Sequence, residues 1–595
     1  MRYSGTGKAI FCILWMVLIG QMGRAENLPP ADCISLDEVR PDMDAYCLTV
    51  FSGSKVEKFP LKVLSVVRNQ RPGQDMILVL GTDERFNQAG AVHGCSGSPV
   101  YIDGRLAGAL AAGWDGSLDS LYLVRPIKDM LEVGTAQGTK VSASTTAAFD
   151  FSQPLDLEVY YRQYMERLQE RRTDNDLLLP LSTSLPAEVC QQYSTVLRRI
   201  GLMPAAAGPT VLTATAEDAG NFEPGSVLAV VLCGGDISLS GIGTATAIVG
   251  DQIYGFGHSL NGLGPVNLPI AAGVVHTVVA SRSYSFKLSS PGPILGTLEF
   301  DQNCAVRGTI GKIPRTIPLQ IEVSRFNDPR QRVYNCFLAD DRGMTPSILQ
   351  VVLSGAAQMQ GPLPSEHTVR YAGQIVLEDG QPLLIDNVSS GRQLSDVVSD
   401  AASAVDLLMN NPFGPVPIRS INARIEIDPV SIAASIWKVN VSNARVRPGQ
   451  TITAEVTLRS FRAPEKTAAI ELKVPETLDA GKYKIHIFGA AGYQAFVSKA
   501  APYKFRAYDL PTLKTGLEGL FKYRRDRLYA VMPIPATGLV IRQHELGQLP
   551  PTKVLLMQDA KRLQPLEPYN AWAEGSTSLD AVVDGTAEIE ITVEK

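Results

Sequence analysis

The run Gly94-Cys95-Ser96-Gly97-Ser98-Pro99 sets a serine between two glycines and a proline. Gly94 and Gly97 take side chains away from both sides of Ser96, so the backbone can turn sharply and aim the Gly94 and Ser96 amides at one point. Two amides converging beside a hydroxyl suit acyl transfer, with the amides as an oxyanion hole. Val100-Tyr101-Ile102, Asp103-Gly104 and Leu106-Ala107-Gly108-Ala109-Leu110 follow at once. Asp-Gly between two apolar runs is a strong hairpin signal, so Ser96 sits on a tight loop feeding a β-hairpin. A Gly-x-Ser-Gly stretch alone is also what many plain turns between strands look like.

Ser-Gly-Ser-Pro, a strand, a glycine turn, a second strand and the closing Gly113-Trp114 together form a longer pattern. It resembles the nucleophile region of chymotrypsin-like serine peptidases, and most closely the SpoIVB peptidase family within that clan. The resemblance implies a serine nucleophile at Ser96, which needs a base because a serine hydroxyl is a poor nucleophile until its proton is taken. Six histidines are available: His93, His258, His276, His367, His486 and His544. His93 is too close in sequence to be assumed to turn onto Ser96. His258, in Gly255-Phe256-Gly257-His258-Ser259-Leu260, ends a strand beside glycines that leave room for a second side chain, and it is the favoured base. His276 alternates within a strand and is the fallback.

A second stretch carries the resemblance further: Gly235-Asp236, Gly243-Thr244-Ala245-Thr246, Gly257-His258, Leu263-Gly264-Pro265-Val266-Asn267-Leu268-Pro269 and Ser285-Phe286-Lys287-Leu288. It is similar to the histidine-bearing half of multidomain SpoIVB-family proteins, which usually carry Gly-His-Pro where this chain has Gly257-His258-Ser259. In the sporulation peptidase the histidine precedes the serine. Here Ser96 precedes His258, which implies two half-barrels in permuted order, and a PDZ-like segment is not evident. Asp83 lies near where the resembling sequences place an aspartate and is the expected orienting acid, with Asp236 the runner-up. Ser98, beyond the oxyanion loop, is the alternative nucleophile.

The elements that must position these groups read as strands. Leu48-Thr49-Val50-Phe51, Phe59 to Val67, Met76 to Leu80, the hairpin after Ser96 and Leu121 to Val124 make about six strands between 45 and 125, enough for one small barrel. Pro126 to Leu131 closes it as a short helix, and Gly134 to Thr146 is a polar linker. Leu157, Tyr161, Tyr164 and Leu168 recur at helical spacing. Strands return at Ser226 to Leu232, Ile242 to Val249 and Gln252 to His258.

Further on, Ser347 to Leu353 starts a packed helix, and Leu394 to Leu408 forms an apolar stripe ended by Asn410-Asn411-Pro412. From about 423 to 500, short strands recur at sandwich spacing. The expected fold class is mainly β: a chymotrypsin-like double β-barrel built from two separated segments, then an immunoglobulin-like β-sandwich and a mixed C-terminal segment. The expected divisions are 1–25 signal peptide, 30–135 half-barrel with Ser96, 136–205 linker with helix, 206–325 half-barrel with His258, 326–422 mixed α/β, 423–500 sandwich and 501–595 C-terminal.

Composition bounds the rest. The chain has 595 residues, 45% apolar and 19% charged, with a net charge of -5. That suffices for roughly three or four domains, and the interleaved charges give no basic stripe for nucleic acid. Arg2 and Lys8 before an apolar run from Ala9 to Gly20, then Gly23-Arg24-Ala25, read as a secretory signal peptide. About a dozen apolar residues are too few to span a bilayer as a helix. No transmembrane span is therefore expected after cleavage, and the expected location is secreted, periplasmic or cell-envelope.

Of eight cysteines, Cys12 leaves with the signal. No pair has C-x-x-C spacing and no His/Cys cluster has zinc spacing, so neither metal nor cofactor is expected. Cys33 and Cys47 are the candidate bridge, and Cys95 reads as a small buried filler. The expected partner is a protein or peptide substrate. Two functions stay open: an exported serine endopeptidase, or a catalytically inactive peptidase-like binding or cell-envelope scaffold.

Overall fold

The computed structural model describes residues 32–135, 149–151, 178–204 and 215–594, with short breaks at 72, 263, 392–393, 415, 536–537 and 558–565. The signal-peptide reading and the helical stripe from Leu157 to Leu168 lie outside the described residues. The fold is mainly β.

The first body uses β1 (Asp44–Thr49), β2 (Glu57–Arg71), β3 (Gln74–Gly81), the helix α1 (Glu84–Ala89), the two-residue β4 (Val92–His93), β5 (Pro99–Ile102), β6 (Arg105–Gly113) and β7 (Leu121–Pro126). Six of these strands close a barrel in the order β1-β2-β3-β7-β6-β5. The Asp103-Gly104 hairpin forms as its sequence dictates: Ile102 pairs with Arg105, and both turn residues have positive φ, 50° and 74°. Phe51, Phe59, Phe86 and Tyr122 stack edge-on and tilted in the core. Val63, Val79, Val100, Leu110 and Val124 fill it around them.

After β8 (Phe149–Asp150), β9 (Leu179–Thr183) and β10 (Leu202–Met203), the second segment contributes six strands. They are β11 (Val227–Gly235), β12 (Leu239–Val249), β13 (Gln252–Gly255), β14 (Gly264–Val279), β15 (Ser285–Gln302) and β16 (Ala305–Ile310). Here β11 pairs with β12 and β14, β12 with β13, β13 with β16, β16 with β15, and β15 with β14. Those pairings form a closed ring. Numbered one to six in chain order, and leaving β4 aside, the strands of both rings pair in the same order: one-two-three-six-five-four.

The second ring does not stand alone. Through β11 it continues into β18 (Asp328–Ala339) and β17 (Thr316–Arg325), and from there by a parallel step into Ile418–Asp428, so it is part of one fourteen-stranded sheet. Two helices, Thr345–Gln358 and Ser395–Met409, pack together over that sheet and share its apolar core. They occupy the apolar stretches beginning at Ser347 and Leu394 that the sequence marks as helical.

The sandwich departs from the expected 423–500 boundaries. Ile418–Asp428 belongs to the large sheet, whereas Val582–Asp584 completes the sheet built on Ala433–Val441. Thr586–Val593, Arg527–Ile534 and Ala571–Ser578 complete the other sheet with Gly481–Phe488. Residues 433–500 therefore lack enough strands to cover their own apolar face, and the tail supplies the rest. Val456, Ile470, Ile487, Leu528, Val583 and Ile591 meet in one shared core.

Candidate active site

The two rings meet at the serine loop. β4, three residues before Ser96, pairs in parallel with the start of β15, setting Val92 against Ser285 and His93 against Phe286. Gly53 and Val275 exchange backbone hydrogen bonds of 2.7 and 2.8 Å across the same junction. The loop then lies along β12: Thr244 N donates to Ser96 O at 2.9 Å, Thr244 Oγ1 to Gly94 O at 2.7 Å, and Thr246 Oγ1 to Gly97 O at 2.7 Å. On its other side, Gly97 N donates to Leu110 O at 2.7 Å. Three carbonyls of the loop are thus fixed by one strand of the other ring. Gly94 and Gly97 have φ of +93° and +96°, a region that strains any other residue.

Ser96 and His258 occupy corresponding places. Ser96 follows β3 and precedes β5, the third and fourth strands of its ring; His258 follows β13 and precedes β14, the third and fourth of its own. Their loops touch. A Cβ on Gly97 would lie 2.5 Å from Phe256 N, and a Cβ on Gly257 would lie 3.2 Å from Leu110 O, the acceptor of the Gly97 amide.

Phe256 and Gly257 both have positive φ, 67° and 70°, giving the tight bend that turns the histidine inward. His258 Nδ1 is 2.8 Å from Ser259 O. A carbonyl only accepts, so Nδ1 carries the proton and a neutral ring keeps its lone pair on Nε2, the tautomer a general base needs. Ser96 and His258 are both buried, and Ser96 Oγ has no hydrogen-bond partner among the described residues.

Asp83, the expected orienting acid, stands just ahead of α1. It caps the N-terminus of α1, accepting from Arg85 N at 2.9 Å and pairing with Arg85 Nε at 3.1 Å. Burial works to raise its carboxyl, but the Arg85 bonds outweigh it and hold the group below its usual range. The partner of His258 Nδ1 is a carbonyl, not this carboxylate. Asp236 is exposed on a turn and accepts from Asn335 N at 2.7 Å. His276 bonds Ser290 Oγ at 2.8 Å. His93 has Leu178 O at 2.9 Å and Asp115 Oδ1 at 2.7 Å on its two ring nitrogens. Ser98 donates to Thr49 Oγ1 at 3.0 Å, a local packing role.

Cys95 is buried, and burial pushes its thiol pKa up, which favours the inert protonated form. Cys33 and Cys47 are separate free thiols: Cys47 faces the barrel core, while Cys33 bridges to Leu106 at the edge.

Three contributors carry no role in the sequence reading. Asp301, near the end of β15, is buried and accepts from Leu260 N, Asn261 N and Gly262 N at 2.7, 2.6 and 2.9 Å, fixing the loop just after His258. Thr244 and Lys287 bind the serine loop from the other side. The signal for these residues is a polar side chain buried within a strand: Thr244 and Thr246 in β12, and Lys287 and Asp301 in β15.

A buried serine loop on one closed ring is seated against a histidine loop on a second ring of the same strand order. Residues 26–113 match the family model described as SpoIVB peptidase S55, which supports the resemblance to the SpoIVB peptidase family. The match takes in β1 to β6 and Ser96, and ends before β11 to β16 and His258. No curated protein and no solved structure matches the chain. No helix among the described residues is long and apolar enough to cross a membrane.

Proposed function

We propose that this protein is an exported serine endopeptidase whose two rings form a chymotrypsin-like pair in permuted order. Ser96 Oγ attacks the peptide carbonyl while His258 Nε2 takes its proton, and the Gly94 and Ser96 amides hold the oxyanion. The imidazolium then protonates the departing amine, and water releases the acyl group by the reverse sequence. The observation that carries this reading is the matched placement of Ser96 and His258 between the third and fourth strands of two rings whose loops touch. Both groups are buried, so the reaction needs the loops to part before a peptide enters.

The same burial favours a second reading, a peptidase-like scaffold that binds without cleaving, because Ser96 Oγ makes no hydrogen bond among the described residues. Catalytic hydrogen bonds are often long before substrate binds, which leaves the first reading the stronger. Covalent labelling of the full chain by a fluorophosphonate probe decides between them. The endopeptidase reading expects labelling at Ser96 that is lost in Ser96→Ala and in His258→Ala. A wild-type chain that stays unlabelled, or a Ser96→Ala chain labelled equally, overturns it in favour of the scaffold.

A further inference from the structure

Lys287 is fully buried, yet it faces hydroxyls and thiols rather than a carboxylate. Its Nζ donates to Thr49 Oγ1 at 2.7 Å and to Thr244 Oγ1 at 3.2 Å. Each acceptor passes a bond onward to the serine loop: Thr244 Oγ1 donates to Gly94 O, and Thr49 Oγ1 accepts from Ser98 Oγ. The side-chain stem runs beside the same loop, with Cβ, Cγ and Cδ each 3.2 Å from where a Cβ on Gly94 would sit. The parallel pairing of Val92-His93 with Ser285-Phe286 fixes this placement one residue before the lysine.

A buried ammonium with only hydroxyl acceptors is costly, and an apolar side chain of similar length would fill the same space without that cost. A cation kept under those conditions is best explained by negative charge that appears nearby during reaction. The Gly94 and Ser96 amides are where such charge develops on the reading above, and a fixed charge in a water-excluded site acts strongly.

We infer that Lys287 is a positioning residue of the Ser96 loop, holding Gly94 and Ser98 through Thr244 and Thr49 and lending its positive charge to the oxyanion step. The inference rests on the serine-peptidase reading. The titratable groups facing the ammonium are Cys47 on β1 and Cys95 on the loop. Asp83 and Tyr122 lie beyond those two thiols. Burial lowers the lysine's own pKa, so its charge is lost earlier on the alkaline side than for an exposed lysine.

The test is the fluorophosphonate labelling rate of the full chain, resolved into kinact and KI and followed against pH. Lys287→Met is expected to lower kinact at least tenfold with KI within about twofold, and to abolish the alkaline fall of kinact seen in the wild type. Thr244→Val, which keeps shape and removes the relay hydroxyl, is expected to lower kinact in the same direction, and it keeps the test open should Lys287→Met fail to fold. A folded Lys287→Met chain with wild-type kinact overturns the inference. So does a lower kinact with the alkaline limb unmoved, or a Thr244→Val chain with wild-type kinact. A wild-type chain unlabelled at Ser96 removes the serine-peptidase reading itself, which is a different result from any of these.

Discussion

Gly97 and Thr244 stand so close that the glycine has no room for a side chain: a Cβ on Gly97 would lie 2.0 Å from the Thr244 carbonyl oxygen. The obstacle is backbone belonging to a strand of the other ring, which cannot move aside as a flexible side-chain end would. Gly97→Ala is therefore expected to destabilise the protein by about 3 kcal/mol or more, adding a clash to the strain of a left-handed φ. Gly104→Ala is the control, since its φ is +74° but nothing lies within 4 Å; it should cost only about 1 kcal/mol. Thermal melting of both variants checks the difference, and equal melting temperatures would show that the loop does not seat on β12.

Asp301 holds the other loop. Its carboxylate accepts from three consecutive backbone amides, Leu260 to Gly262. Asp301→Asn keeps the shape but turns an NH2 toward N–H groups, so at least one buried donor loses its acceptor. A loss of about 1–3 kcal/mol follows, together with a lower probe-labelling rate, because the loop that carries His258 is no longer fixed. Denaturant unfolding and the labelling rate measure the two effects separately. An Asn variant with wild-type values in both would mean that the carboxylate charge does not matter there.

The serine loop is legible in the sequence because everything that shapes it is local: two glycines, a proline and an Asp-Gly turn within about a dozen residues. His258 is legible for the same reason, through the bend at Phe256-Gly257. Asp83 is not, because an aspartate ahead of Glu84-Arg85 caps a helix, and only the fold shows where that helix points. Lys287 and Asp301 take their roles from β15 pairing with β4 at one end and reaching the His258 loop at the other. No local pattern encodes such distant pairing. The sandwich boundary fails similarly, since its last strands come from more than eighty residues downstream of Ala500.

Asp341 gives a pH signature away from the site. It is buried before the helix Thr345–Gln358, accepting from Gly343 N and Met344 N at 2.9 and 3.1 Å. Burial raises its pKa from 3.8 to about 6, with the two backbone bonds pulling the other way. The folded state thus holds the proton more tightly than the unfolded chain does. The resulting stability is complete below about pH 4 and disappears as pH rises through about 6, a span worth roughly 2–3 kcal/mol. Asp341→Asn removes this dependence, so its stability relative to wild type should improve by that amount between pH 4 and pH 7. A difference that stays constant over this range would mean that Asp341 titrates normally.

Arg525 ties the sandwich to the helical layer. Its Nη1 donates to Tyr371 OH at 2.7 Å and its Nη2 lies 3.3 Å from Asp400, to which Tyr371 OH also donates. Burial opposes the charge on Arg525, but Asp400 and Tyr371 outweigh it and keep the guanidinium protonated. Burial also pushes the Asp400 carboxyl up, with Arg525 pulling it back down. Removing one partner strands the other in a medium that solvates it poorly. Arg525→Met should therefore cost about 3–5 kcal/mol, whereas adding Asp400→Asn in the same chain should recover much of the loss, because the stranded charge is gone. A double-mutant cycle read by thermal melting checks this. If the two substitutions simply add, Arg525 and Asp400 stabilise the junction independently and the buried pair is not what joins it.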